Sequence, residues 1–252
     1  MQFLAQVLIF SLVGVAVWGL SRVLRCNVAL PDIPNAKKSS YGALGAVGIS
    51  MAPAYLLMVR QRLLHGATSD YAPRFEHVSA LWPQLLLVLI YVVPAGVFMI
   101  RNRESLRTTG ISTRNLWQSL LIGAGLALLT FYFRPGGLMA KVQGIQARHG
   151  VALVFFAGVG FGEEFLFRGY LQNRLAAWLG RWPGWVAASV AMAIVHLPHR
   201  SLIQGMSFGV ALVDTLALIP VSLLMGFVML RTQNIVAPGL FHTFADWVNT
   251  LK

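Results

Sequence analysis

Residues 162–170, Gly162-Glu163-Glu164-Phe165-Leu166-Phe167-Arg168-Gly169-Tyr170, decide the fold because they place charges inside a long apolar segment. The stretch follows the apolar run Val151 to Phe161, so two adjacent carboxylates and an arginine lie at or just inside the end of a predicted membrane helix. A charged side chain costs roughly 2.5–3.5 kcal/mol at the bilayer centre and less near the surface. The cluster therefore needs partners or a function.

The composition indicates an integral membrane protein. Of the 252 residues, 57% are hydrophobic and only 11% are charged, and the mean hydropathy is +0.68. These values lie outside the range of soluble globular proteins. The apolar runs are continuous rather than alternating, which favours helices over the strands of a transmembrane barrel. We predict an all-α fold, a polytopic membrane helical bundle of about eight transmembrane helices.

The net charge and the single cysteine exclude several classes of function. The charge of +12 comes from Lys and Arg residues spread over short loops, with no basic stripe interleaved with aromatic residues. This distribution indicates membrane lipids rather than nucleic acid as the partner. Cys26 is the only cysteine, so an internal disulfide and a cysteine-rich metal site are excluded. Met1 to Leu20 lacks a positive n-region, and we interpret it as a retained first span rather than a signal peptide.

Eight apolar stretches can cross a bilayer, given about 20 residues per helix. They are Phe3 to Leu20, Tyr41 to Val59, Ala80 to Ile100, Leu116 to Phe133, Val151 to Phe167, Trp185 to Leu197, Gly205 to Leu230 and Ile235 to Val248. The sixth and eighth are short and bounded by prolines. We expect one integrated membrane domain, in which residues 1–149 serve packing and residues 150–252 carry the catalytic motifs.

The loop charges and the span contents predict where the protein and its chemistry lie. The 20 Lys and Arg residues divide into 12 in odd-numbered loops and 8 in even-numbered loops and tails, a weak bias toward both termini outside the cytoplasm. We expect a multi-pass protein of a bacterial plasma membrane. The apolar interiors of spans one to four contain no Asp, Glu, His, Lys or Arg, whereas each later span contains or ends in such a residue. The chemistry is therefore expected after residue 150.

The two glutamates are predicted to differ in environment. Residues four apart share one helix face, so Glu164 and Arg168 are expected to form an ion pair. Glu163 is turned about 100° away from Glu164 and should face elsewhere. This interpretation leaves Glu163 free to react. The alternative is that both carboxylates have reached the headgroup region and are solvated.

Two later spans supply imidazole groups. His196 ends the sixth span and can be either a reactive group or an interfacial hydrogen-bonding residue, while His199 is interpreted as interfacial. His242 and Asp246 are four apart, a spacing that serves two ligands of one metal or two groups on one substrate oxygen. The pair could equally be a buried His–Asp hydrogen bond. Asp214 and Thr215 have no evident partner, and we expect a loop position or a local cap for them.

The six candidate site residues share a chemistry that suits hydrolysis. A carboxylate with a nearby imidazole can deprotonate water at neutral pH. Imidazole with Asp can hold a divalent metal such as Zn²⁺ or stabilise a developing oxyanion. Zn²⁺ is the only cofactor we expect. The candidates are Glu163, Glu164, Arg168, His196, His242 and Asp246.

The sequence here resembles the CAAX-protease and bacteriocin-processing family (CPBP or Abi family) of intramembrane endopeptidases, which includes the type II CAAX prenyl endopeptidases. The family shows Glu-Glu-x-x-x-Arg, Phe-x-x-x-His and His-x-x-x-Asn or Asp on successive helices of a roughly eight-helix bundle. The matching segments are 163–168, 192–196 and 242–246, and the resemblance covers about residues 150 to 250. Met192 replaces the phenylalanine, and the last position is Asp246 rather than Asn.

The resemblance implies roles for these residues. Glu163 would activate the attacking water with assistance from His196, while Glu164 and Arg168 hold the helix end. His242 and Asp246 would bind a metal or support the tetrahedral intermediate. The family is described as metalloproteases, which implies Zn²⁺, but a glutamate-driven mechanism without tightly held metal stays open.

We therefore predict an intramembrane endopeptidase of this family. Its substrate would be a protein or peptide, with a prenylated C-terminus, a leader peptide and a membrane-anchored regulator all open. One alternative is a non-catalytic membrane adaptor of the same fold that binds a regulatory partner. Another is a proton-linked transporter, although the sequence lacks the internal repeat of many such carriers.

Overall fold

The chain is an all-α bundle. A computed structural model describes residues 2–66, 75–132 and 142–251, and no strand occurs in these ranges. The α-helices are α1 (Gln2–Val23), α2 (Ala36–His65), α3 (Leu81–Asn102), α4 (Leu116–Tyr132), α5 (Ala147–Glu164), α6 (Asn173–Leu179), α7 (Arg181–Ile194), α8 (Phe208–Leu216), α9 (Ile219–Thr232) and α10 (Val236–Trp247). The π-helical segments are Phe165–Gln172 and His199–Ile203, and the 3₁₀ segments are Val78–Ala80, Leu106–Thr109 and Val248–Thr250.

The structure confirms the polytopic bundle and changes the lengths of its spans. Within the described ranges, six helical stretches are long and apolar enough to cross a membrane: Phe3–Val23, Ala36–His65, Gln84–Asn102, Ala147–Leu179, Arg181–Ile203 and Phe208–Thr232. The fourth predicted span is the shorter apolar helix α4, and Phe133, assigned to its end, lies outside the described residues. The sixth span is longer than predicted, because the helix begins before Pro183 and continues as a π-helical segment after Pro198.

The eighth predicted span corresponds to α10, which is too short to cross a bilayer. Its 12 residues extend about 18 Å at 1.5 Å per residue, against a hydrocarbon core of about 30 Å. The helix packs between α4 and α5. Helix α10 is therefore enclosed by longer helices on its two packed sides, and it ends within the bundle.

A single interrupted helix runs through the centre of the bundle. Helix α5 continues through the π-helical segment Phe165–Gln172 into α6, and all eight residues of this segment are buried. Helix α3 packs on α5, α2 packs on α3 and α6, α7 packs on α6 and α9, and α1 packs on α9. Helices from residues 1–149 and from residues 150–252 therefore contribute to one bundle around this central helix.

Glycines allow α5 and α10 to approach closely. A Cβ atom at Gly160 would lie 2.8 Å from the backbone nitrogen of Thr243, and one at Gly239 would lie 2.7 Å from the ring of Phe161. Side chains at these positions would separate the two helices. The close approach brings the glutamates at the end of α5 within reach of His242 on α10.

A second buried ion pair anchors the far end of the central helix. Arg174 on α6 donates through Nε and Nη2 to Glu104 Oε2, and Nη2 also donates to Thr108 Oγ1 at 2.8 Å. Ser39 on α2 donates to the other oxygen of Glu104. Neither charged side chain is exposed. The pair therefore ties α2 and the loop after α3 to α6.

We predict that Glu104→Gln destabilises the protein, because Arg174 then keeps a buried charge without a counter-ion. Removing one partner of a buried pair costs about 3–5 kcal/mol. Thermal unfolding followed by tryptophan fluorescence in detergent measures the loss, with Glu76→Gln at an exposed position as the matched control. Equal melting temperatures for Glu104→Gln and wild type would contradict the anchoring role.

Candidate active site

The site is built on a buried ion pair at the junction of α5 and the π-helical segment. Arg168 Nη1 lies 3.2 Å from Glu164 Oε1, the pairing expected from their spacing. Arg168 Nη2 donates to Ser222 Oγ on α9 at 3.0 Å, and Ser222 Oγ in turn donates to the Ser189 carbonyl on α7. Because both charges are buried, each needs the other and these hydrogen bonds. The pair thus fixes the end of α5 against two further helices.

The imidazole of His242 is held by the same carboxylate. His242 Nδ1 lies 2.9 Å from Glu164 Oε1. A carboxylate accepts hydrogen bonds and does not donate them, so Nδ1 carries the hydrogen. This contact turns the other ring nitrogen, Nε2, toward Asp246 Oδ2 at 3.4 Å and Glu163 Oε2 at 3.9 Å. Three carboxylates therefore surround one imidazole.

Glu163 differs from Glu164 in its access to water. The side chain of Glu163 is 14% exposed, whereas that of Glu164 is fully buried. Tyr91 on α3 donates its hydroxyl to Glu163 Oε1 at 3.3 Å. The second oxygen, Oε2, has no hydrogen-bond partner among the described residues. Glu163 is thus positioned by one hydrogen bond, and its Oε2 is a buried atom without a described hydrogen-bond partner.

His196 lies on the wall of the same cavity, apart from the carboxylate cluster. Its Nδ1 is 2.9 Å from the Met192 carbonyl oxygen, one turn earlier in the chain. A carbonyl oxygen only accepts, so Nδ1 is the donor and the neutral ring presents Nε2 as an acceptor. No direct contact joins His196 to Glu163 in the described part of the structure. A molecule between them would be needed to connect the two.

These side chains open into a cavity of about 780 Å³. Glu163, His196, His242 and Asp246 line it, and Tyr91 and Arg168 also border it. The remaining wall is mostly apolar and comes from several helices, with α1, α2, α4 and α9 contributing Ile9, Phe10, Met51, Met58, Leu126, Leu129, Val221 and Leu224. The cavity therefore combines a small polar, titratable region with a large apolar one.

The structure brings most of the predicted residues together and corrects two expectations. Glu163 does not face away from the Glu164 site, because both carboxylates approach the ring of His242. Asp214 is neither in a loop nor a cap but lies on α8 and forms an ion pair with Arg200. His199 also lines the cavity, and its interpretation as interfacial stays a prediction.

The sequence reasoning missed the residues that support the site. Tyr91 lies in the third span, before residue 150, where no ionisable residue was expected to take part. Ser222 holds Arg168 from the seventh span. A tyrosine or serine in an apolar span is a weak signal, since both residues are common there. Only the polar hydroxyl at membrane depth could have indicated them.

The arrangement of donors does not favour a metal site. Among the described residues, no group of three or more His, Cys, Asp and Glu side chains is placed to hold a metal ion. His242 Nδ1 faces Glu164 Oε1, which leaves only Nε2 of that ring for other contacts. The expected role of His242 and Asp246 as Zn²⁺ ligands stays a prediction, and no chemical step is derived through a metal.

The comparisons with known proteins agree with the three motifs. Residues 146–248 match the model of the family described as Type II CAAX prenyl endopeptidase Rce1-like. No curated protein and no solved structure matches the chain. The matched segment contains α5 to α10 and all six candidate residues. The match confirms the predicted resemblance to the type II CAAX prenyl endopeptidases over this segment.

We predict that Arg168→Met destabilises the fold and that adding Glu164→Gln restores part of the loss. The single change leaves the Glu164 carboxylate buried without its arginine, at a cost of about 3–5 kcal/mol. The second change removes that uncompensated charge. Thermal unfolding in detergent of wild type, both single variants and the double variant completes the cycle. Additive losses would contradict a direct ion pair.

Proposed function

We propose that this chain, which is similar to the type II CAAX prenyl endopeptidases over residues 146–248, is an intramembrane endopeptidase in which Glu163 activates the attacking water. The cavity lies within the bundle, so the substrate reaches it through the lipid or from the membrane surface. The protein is an integral multi-pass membrane protein, and we place it in a bacterial plasma membrane.

The observation that carries the proposal is the contrast between the two adjacent glutamates. Glu164 is buried and occupied by Arg168 and His242. Glu163 borders the cavity, keeps one oxygen without a described hydrogen-bond partner, and is oriented through the other by Tyr91. A general base must reach the proton that it removes and must be held in place. Glu163 meets both requirements.

In the proposed reaction, Glu163 takes a proton from a water molecule, and the resulting hydroxide attacks the carbonyl carbon of the substrate. The C–N bond then breaks, and the proton held by Glu163 passes to the leaving amine. The neutral ring of His196 presents Nε2 as a second acceptor in the cavity and assists the proton transfer through the substrate or water between the two groups. Water and the peptide bond become a carboxylic acid and an amine, and the acid then gives its proton to the amine or to solvent water.

His242 supports the negative oxygen of the tetrahedral intermediate. Its Nε2 faces the space between Glu163 and Asp246, close to where the carbonyl would lie during attack by a water on Glu163. In its imidazolium form, Nε2 donates a hydrogen bond to the oxyanion. Glu164 fixes the ring through Nδ1, and Asp246 balances the ring's charge. Arg168 and Glu164 act as positioning residues.

The apolar part of the cavity suits a substrate with an attached or neighbouring apolar group. The matched family is described as type II CAAX prenyl endopeptidases. A protein or peptide with a lipidated C-terminus is therefore the first candidate substrate. A leader peptide and a membrane-anchored regulator are the others. A farnesylated peptide that ends in a cysteine, two aliphatic residues and a terminal residue is the first probe, and a bacterial leader peptide is the second.

We predict that Glu163→Gln lowers kcat for either probe by about 100-fold or more, the usual range for loss of a general base. The purified full chain in detergent is incubated with each peptide, and the products are identified by mass spectrometry. Glu76→Gln, a change of the same kind at an exposed position, is the matched control and should cleave like wild type. Unchanged turnover by Glu163→Gln would remove this residue from the mechanism and favour a non-catalytic adaptor.

We also predict that chelators leave cleavage unchanged, because the described residues offer no group of three metal donors. The wild-type chain is dialysed against EDTA and then 1,10-phenanthroline, and kcat/KM is measured before and after. The inactive isomer 1,7-phenanthroline controls for effects of the apolar molecule itself. Loss of activity that added Zn²⁺ restores would contradict this expectation and support a metal on His242 and Asp246.

A further inference from the structure

A second charged position borders the cavity outside the catalytic cluster. Arg200 lies in the π-helical segment His199–Ile203 and lines the same cavity as Glu163 and His196. Two of the described lining residues are arginine and none is lysine. Arg168 is buried and occupied by Glu164 and Ser222. Arg200 is therefore the lining cation that remains able to meet an incoming group.

The contact that Arg200 makes leaves its outer nitrogens open. Its Nε pairs with Asp214 Oδ2 on α8. No described residue hydrogen-bonds its terminal nitrogens, Nη1 and Nη2. The side chain is 15% exposed, whereas that of Asp214 is 46% exposed and so partly solvated already. Asp214 pairs with Nε alone, so it can orient Arg200 while Nη1 and Nη2 stay available to a second anion.

The charges in the cavity have opposite signs in different places. Glu163 and Asp246 border the catalytic region, and a carboxylate that enters the cavity is repelled there. Arg200 attracts the same group, and a guanidinium binds a carboxylate through two parallel hydrogen bonds. A peptide with a free terminal carboxylate is thus oriented with its C-terminus toward Arg200 and an upstream bond toward Glu163.

The spacing along the helix agrees with this orientation. The Arg200 amide donates to the His196 carbonyl at 3.2 Å, so Arg200 lies one turn after His196. Four helical residues advance about 6 Å, and an extended peptide advances about 3.3 Å per residue. With allowance for the arginine side chain, a carboxylate on Arg200 places a bond roughly two to four residues from the C-terminus beside His196.

We infer that Arg200 is a specificity-determining residue that binds the free C-terminal carboxylate of the peptide substrate, with Asp214 orienting its side chain. This inference rests on the proposed endopeptidase function. It selects, from the substrates left open above, those whose cleavage site lies close to a free C-terminus. An internal site in a leader peptide would not use this contact.

The test compares two farnesylated peptides that are identical except for a C-terminal acid or a C-terminal amide. Wild type should cleave the acid with a kcat/KM roughly 10- to 100-fold above that of the amide, the range for a charged hydrogen bond. The preference should disappear in Arg200→Gln, persist in part in Arg200→Lys, and remain in Arg62→Gln, an exposed arginine outside the cavity. If wild type cleaved the acid and the amide with the same kcat/KM, this result alone would overturn the inference.

A purely structural role for Arg200 gives a different result. It would lower the cleavage of both peptides by the same factor and leave the acid-to-amide ratio unchanged, which would overturn the inference. A lipid phosphate is the other anion with this chemistry. If added phosphatidylglycerol in dodecyl maltoside inhibited wild type but not Arg200→Gln while the two peptides were cleaved equally, the site would bind lipid and the peptide assignment would be wrong.

Binding separates this inference from the catalytic proposal. Fluorescent acid and amide peptides are titrated onto Glu163→Gln protein and onto the double variant Glu163→Gln, Arg200→Gln, with fluorescence polarisation as the readout. Tighter binding of the acid that requires Arg200 supports the inference even if Glu163→Gln still cleaves. Equal binding of acid and amide overturns it even if Glu163 proves essential for cleavage.

Discussion

One buried ion pair, Glu164 with Arg168, joins four helices in this protein. Glu164 ends α5 and binds His242 on α10, while Arg168 binds Ser222 on α9, which in turn bonds to α7. Two buried charges in an apolar bundle are costly unless each has a partner, and here Glu164 Oε2 and Arg168 Nε still lack a hydrogen-bond partner among the described residues. The helices must therefore meet at this point. The position of His242 beside the two glutamates therefore depends on this ion pair and its hydrogen bonds.

The same constraint separates the fully buried carboxylate from the one that borders the cavity. Once Glu164 is occupied by Arg168 and His242, its carboxylate orients the ring and is not accessible to water. Glu163 lies one residue away and shares the rigidity of the helix, yet it borders the cavity and contacts Tyr91. A site assembled on packed helices holds its groups more accurately than one on loops. Two adjacent residues of the same type thus acquire different roles through burial alone.

Much of this arrangement was predictable from the sequence, and the rest was not, for a physical reason. Apolar run length indicated the helices, and the spacing of four residues indicated the Glu164–Arg168 contact, because both depend on local geometry. Tyr91 and the pairing of Arg200 with Asp214 depend on which helices pack together, information that a single sequence does not contain. Glu163 was expected to face away from Glu164, whereas both carboxylates approach His242 on α10, and the helix that packs beside them is likewise not given by a single sequence. The sequence indicated that the last span is short but not that α10 fails to cross a bilayer. Hydrophobicity does not distinguish a spanning helix from a short one packed between longer helices.

The shortness of α10 explains how water can reach a site that is otherwise built within an apolar bundle. Exposure rises along the helix, from 13% for the side chain of His242 to 38% for that of Asp246 one turn later. Asn249, just past the end of α10, also lines the cavity. A full-length span at this place would carry apolar side chains past the site and cover it. Because α10 ends about one turn beyond His242, polar side chains near its C-terminal end line the cavity together with Glu163, while the longer helices supply a mostly apolar wall.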